Sequence, residues 1–128
     1  MRRAVLLLHT RPDGTSHFDW LVARAPGDGS PLVSFRLGVR PDAPGVRGFE
    51  AAAMPDHRAR YPTYEGALTG DRGEVERLAA GVVERGGFSD RAADVTIRWG
   101  DDPIRYEGEA AAGGVWRFIV TPGDAAGR

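Results

Sequence analysis

Glycine and proline punctuate this chain from end to end. There are 18 glycines and 9 prolines among 128 residues, and they cut the sequence into short pieces. Such spacing suits strands joined by tight turns and leaves little room for long helices. Residues 4–9 read as a first strand. Arg11-Pro12-Asp13-Gly14 then reads as a turn, because proline presets φ and glycine accepts a positive φ. Residues 16–24 read as a second strand, 26–31 as a loop and 32–39 as a third strand. A Pro/Gly-rich connection covers 40–48, and 49–54 fits either a strand or one helical turn. Residues 93–99, 104–109 and 115–120 read as three further strands. The tail, 121–128, is small and polar and is expected to fray. Together these segments predict one all-β domain over residues 1–128, without an internal repeat.

One segment resists this scheme. Val75, Leu78, Ala79, Val82 and Val83 recur at helical spacing within 74–84. Gly73, Gly81 and Gly86-Gly87 argue against a long helix there.

Composition narrows the chemistry. The chain has no cysteine, which excludes disulfides, thiolate metal sites and thiol nucleophiles. It also has no lysine; all 17 basic residues are arginine. That excludes a lysine Schiff base, a lysyl-nucleotide intermediate and a P-loop lysine. Eighteen acidic residues leave a formal net charge of −1, so no global basic excess marks a nucleic-acid binder. The longest apolar run, 4–8, falls far short of the ~20 residues of a membrane span. Arg2, Arg3 and that run lack a cleavage pattern, so a cytoplasmic location is expected. Abundant alanine, glycine and arginine fit a GC-rich, bacterial genome.

The three histidines are the richest chemical signal. A hairpin turn centred on Asp13 places His9 opposite His17. Asp19 leaves the same face as His17, two residues on, and is a diagonal neighbour of His9. A slip of one residue in register would dissolve the arrangement. Two imidazoles and a carboxylate suit a divalent transition metal. His57 lies in Pro55-Asp56-His57-Arg58-Ala59-Arg60-Tyr61, whose arginines and tyrosine suit an anionic, phosphate-bearing substrate. Each of these histidines also fits a structural role, and Arg58, Arg60 and Asp56 also fit a solvated charge cluster.

In order, His9, His17-Phe18-Asp19, Asp56-His57 with Tyr61, Tyr64-Glu65-Gly66 and Gly70-Asp71-Arg72-Gly73 resemble a known pattern. It is that of the 3′-phosphoesterase domain of bacterial ligase D, the DNA end-joining ligase, and of its small stand-alone relatives. The resemblance covers roughly residues 5–73. It implies a compact, mainly antiparallel β-barrel with short helical turns and a polar active face. It also implies strand rather than helix over 74–84. By the same resemblance, His9, Asp19 and His57 hold a metal ion, with Mn²⁺ expected ahead of Zn²⁺ or Fe²⁺. His17 would contact the scissile phosphate and Tyr61 would belong to the same site. The implied activity is removal of a 3′-phosphate or 3′-ribonucleoside from DNA ends, with a separate ligase or end-joining protein as a partner. The chain departs from the pattern at Leu21, where the family carries an arginine, and only eight residues precede His9. Arg24, Arg47, Arg58 and Arg60 are candidate substitutes for that phosphate-binding arginine.

Two further readings stay open. A non-catalytic relative would bind nucleic-acid ends or a repair protein through a metal-containing site. A non-haem iron oxygenase would use His17, Asp19 and His57 as a facial triad.

Overall fold

The computed structural model describes residues 1–27, 29–57, 66–67 and 73–123. Nine strands make up nearly all of it: β1 (Arg2–Thr10), β2 (Ser16–Ala23), β3 (Leu32–Leu37), β4 (Gly48–His57), β5 (Gly66–Ala67), β6 (Glu74–Phe88), β7 (Ala92–Arg98), β8 (Pro103–Ala110) and β9 (Val115–Pro122). A short 3-10 turn, Ala112–Gly114, joins the last two strands. Every pairing is antiparallel. The order is β1-β2-β3-β4-β9-β8-β7-β6, and β6 returns to pair with β1, so eight strands close in a ring. Two four-strand meanders, β1–β4 and β6–β9, thus meet along both of their edges. Closure removes the unpaired sheet edges on which chains aggregate; β5 adds a short strand outside β6.

Alternation along the strands builds two apolar layers. Ala4, Leu6, Trp20, Val22, Phe35, Val95, Ile97, Tyr106, Trp116 and Phe118 form the interior of the ring. The residues between them on β1, β2 and β3, namely Val5, Leu7, Leu21, Ala23 and Leu32, join Val75 in a smaller cluster on the outer face. The interior is mostly aromatic. Trp20 lies 4.8 Å from Tyr106 and 5.3 Å from Phe118, ring centre to ring centre. Gly108 is required there, since a Cβ would sit 2.4 Å from the Phe118 ring. The Tyr106 hydroxyl donates to the Pro41 carbonyl at 2.7 Å and accepts from Trp99 Nε1 at 2.9 Å. These bonds tie the connection between β3 and β4 to the interior, and burial pushes the Tyr106 hydroxyl pKa well above its ordinary value.

The structure bears out the all-β expectation and corrects several boundaries. Residues 49–54 are strand, inside β4, not a helical turn. β3 ends at Leu37, two residues earlier than expected, and Val39 is exposed. The tail is ordered further than expected, because Thr121 and Pro122 pair with Arg105 and Ile104; residues 124–128 lie outside the described part. Residues 74–84 are strand, and the bulge at Leu78 explains their helical look. Leu78 is an extra residue between the partners of Leu6 and Leu7. Glu84 is an extra residue between the partners of Ile97 and Thr96. Each bulge shifts the inside–outside phase by one, so Val75 faces the outer cluster while Val83 faces the interior. No helix among the described residues is long and apolar enough to cross a membrane.

Candidate metal centre

The turn predicted at Arg11–Gly14 sets the site. Arg11 N donates to Thr15 O at 2.7 Å and Gly14 N to Arg11 O at 2.9 Å, with Gly14 at φ 90°. The Asp13 carboxylate accepts from the Thr15 N–H and hydroxyl at 2.9 and 2.6 Å. Those two bonds hold the Asp13 carboxyl below the usual range. The resulting register pairs His9 with His17, as expected, and Leu7 with Asp19. Both imidazoles and the Asp19 carboxylate therefore leave the outer face, beside Leu7 and Leu21 of the outer apolar cluster. β1 and β2 are also held from both sides, by β6 and β3. The site consequently rests on the middle of a paired sheet, where backbone positions are well defined.

The three side chains converge. His9 Nδ1 and His17 Nε2 are 3.1 Å apart, one ring nitrogen donating and the other accepting, with the rings nearly perpendicular at 79°. His17 Nε2 lies 3.3 Å from Asp19 Oδ1, and His9 Nδ1 lies 4.0 Å from Asp19 Oδ2. Ligand atoms held about 2.1 Å from one ion stand about 3.0 Å apart at a right angle and about 3.4 Å apart at the tetrahedral angle. The two shorter separations match those values. His9, His17 and Asp19 are thus a group able to hold a metal ion. Asp19 is 2% exposed and His17 8%, so a charge here is poorly hydrated and depends on its partners.

Burial pushes the His17 pKa below its ordinary value; the Asp19 carboxylate opposes this, and Arg36 and His9 reinforce it. In the metal-free protein the folded state therefore favours neutral His17. The stability linked to this group is fully present above the unfolded value of about 6.5 and is lost as pH falls through the lower folded value. The urea midpoint of the metal-free protein is accordingly expected to drop between about pH 7 and pH 5. The drop is expected to be smaller in His17→Gln; equal pH dependence in both proteins would assign it to other groups.

The arginines fall differently from the sequence reading. Arg24 is bound to Asp56 through two contacts of 2.6 and 3.2 Å, away from the imidazoles. Arg47 precedes β4, five residues and roughly 16 Å of strand from Ala52. Arg58, Arg60 and Tyr61 lie outside the described residues. His57 ends β4, its backbone paired with Leu32, and its side chain is likewise outside the described part. Leu21 is fully buried in the outer cluster.

The cation beside the site is one the sequence reading missed, Arg36. It pairs with Asp19 across β2 and β3, and its Nε lies 3.5 Å from Asp19 Oδ1. The sequence marks Arg36 only as the one charged residue in the strand Leu32–Leu37, which does not place it beside Asp19. An open groove of about 330 Å³ runs along His17, Arg36, Gly38, Ala52 and Val115, with Glu50 at its rim. No family model matches the chain, and comparison with curated proteins returns no match.

Proposed function

We propose that this protein is a metal-dependent phosphoesterase that removes a terminal phosphate or ribonucleoside from DNA 3′ ends, with Mn²⁺ as the metal. The observation that carries this reading is the convergence of His9 Nδ1, His17 Nε2 and the Asp19 carboxylate, with ligand atoms all within 4.8 Å of one another, beside a groove that bears an arginine. The donor set, two imidazoles and one carboxylate, fits Mn²⁺, Zn²⁺ or Fe²⁺. When bound, such an ion polarises a phosphate oxygen and stabilises charge as the ester bond breaks. His9 and Asp19 hold the ion. The 3.1 Å approach to His9 supports a place for His17 in that ligand set as well, whereas the resemblance gives His17 to the phosphate and His57 to the metal. DNA 3′ ends are the proposed partner, and a separate ligase would seal the ends so prepared.

A second reading is a metal-containing module that binds ends without cutting them. Leu21 favours it: the position that carries an arginine in the resembled family is here fully buried and apolar.

The test is a Mn²⁺-dependent turnover assay on primer–templates ending in a 3′-phosphate or a 3′-ribonucleotide. Turnover is expected from the wild type and its loss from His17→Ala. Metal analysis of that variant then assigns His17: loss of the ion makes it a ligand, and retention makes it the phosphate contact. A wild type that binds metal and 3′ ends but leaves both substrates intact sinks the hydrolase and establishes the binding module.

A further inference from the structure

We infer that Arg36 is the phosphate-binding cation of this site, and that the groove over Gly38 and Ala52 receives the sugar attached to that phosphate. The inference rests on the phosphate-ester reading above. The cross-strand register is what carries it. Leu7, Asp19, Arg36, Ala52 and Val115 are successive partners across β1, β2, β3, β4 and β9, so they form one rung on the outer face. Arg36 stands on that rung between the Asp19 carboxylate and a stretch of small side chains. Ala52 on one side and Gly38 beyond the end of β3 leave the space open, and the groove follows them.

Arg36 also differs from five arginines held in short ion pairs. Arg24, Arg40, Arg98, Arg105 and Arg117 are closed by short contacts of 2.6, 2.8, 2.6, 2.7 and 3.0 Å to Asp56, Asp42, Glu84, Asp94 and Glu50. Arg36 has the longer 3.5 Å contact, to a carboxylate that two imidazoles share; it is less exposed than those five, yet one-third of its side chain still reaches solvent. A guanidinium has five N–H donors in a fork that matches phosphate oxygens. Arg36 is therefore positioned by Asp19 while keeping donors for a ligand. Glu50, which also lines the groove, is paired with Arg117 at 3.0 Å, and this offsets part of its repulsion of an anion. The groove is open, with a volume of about 330 Å³, so it admits one sugar phosphate without enclosing it.

The experiment titrates inorganic phosphate and thymidine 3′-monophosphate, separately, into metal-free and Mn²⁺-loaded protein by calorimetry. The proteins are wild type, Arg36→Gln, Arg36→Lys and Ala52→Phe. Arg36→Gln is expected to weaken both ligands by about 10-fold or more, and Arg36→Lys by less. Ala52→Phe is expected to weaken the nucleotide and spare inorganic phosphate. Mn²⁺ affinity is expected to survive in both Arg36 variants. If Arg36→Gln instead loses metal about 10–100-fold while phosphate binding to loaded protein is unchanged, Arg36 only positions Asp19, and the inference falls. It falls too if wild type binds neither ligand. Should Arg36→Gln fail to fold, Arg36→Lys carries the test, and wild-type affinity there overturns the inference. Arg36-dependent phosphate binding by a protein that takes up no metal would sink the metal reading and leave the anion site standing. If Ala52→Phe weakens both ligands equally, the groove is not the sugar site.

Discussion

Asp19→Asn is expected to weaken divalent-metal binding by more than about 100-fold while leaving the fold intact. Losing a partner outside the ligand set costs metal sites about 10–100-fold, and loss of the ligand charge itself costs more. Asparagine keeps the shape of the side chain but carries no charge and offers one oxygen instead of two. Asp19 stands within 3.3 Å of His17 and 3.5 Å of Arg36, so its negative charge is in direct contact with this cluster. Its side chain leaves the outer face, away from the aromatic interior, so the packing of the ring does not depend on it. Arg36 is one-third exposed and regains water when its partner is neutralised. Asp19 itself is buried, so the metal-free protein is expected to lose about 1–3 kcal/mol, less than the roughly 5–15 kcal/mol that holds a domain folded. Titration calorimetry with Mn²⁺ and with Zn²⁺ checks the first quantity, and urea unfolding checks the second. Binding within about tenfold of wild type would remove Asp19 from the ligand set.

The hairpin that makes this site was legible because its information is local. The Arg11–Gly14 turn chemistry fixes the pairing of His9 with His17, and alternation then brings Asp19 to the same face. Arg36 was not legible as a site residue, for the opposite reason. Its place beside Asp19 depends on the register of β2 against β3, which the loop between them does not encode by turn type. The same limit applies to Arg24, whose sequence neighbours give no hint that Asp56 lies opposite it. In β6 the local signal was misleading. Val75, Leu78, Ala79, Val82 and Val83 imitate a helix because the bulge at Leu78 breaks the period of two, and only the pairing with β1 reveals it. Resemblance to a known pattern, not periodicity, pointed to strand there. The ring itself follows from pairings distant in sequence, β1 with β6 and β4 with β9, and no short-range feature announces either.

Trp20→Ala is expected to destabilise the protein by about 3–5 kcal/mol, a large share of the roughly 5–15 kcal/mol that holds a domain folded. Trp20 is fully buried at the centre of the ring. Beyond Tyr106 and Phe118, its ring lies 5.8 Å from Phe35 and 5.9 Å from Phe49. Those residues come from β3, β4, β8 and β9, so one side chain bridges both meanders. Truncation leaves a cavity bounded by rigid rings that cannot collapse into it, which places the cost toward the upper end. Trp20→Phe is expected to cost much less. It keeps an aromatic ring and also removes the indole N–H, which is buried and has no hydrogen-bond partner; deleting an unpaired donor recovers part of its desolvation penalty. Urea unfolding of the two variants checks both values. A Trp20→Ala cost below about 2 kcal/mol would mean that the meanders are held together by their backbone pairing and not by the shared aromatic interior. Trp20 directly precedes Leu21 and follows Asp19 on β2, so the strand that carries His17 and Asp19 is anchored from behind by the largest fully buried side chain. Metal binding in Trp20→Ala is accordingly expected to track the folded fraction, and a variant that is folded yet cannot bind metal would show that the interior sets the geometry of the outer face.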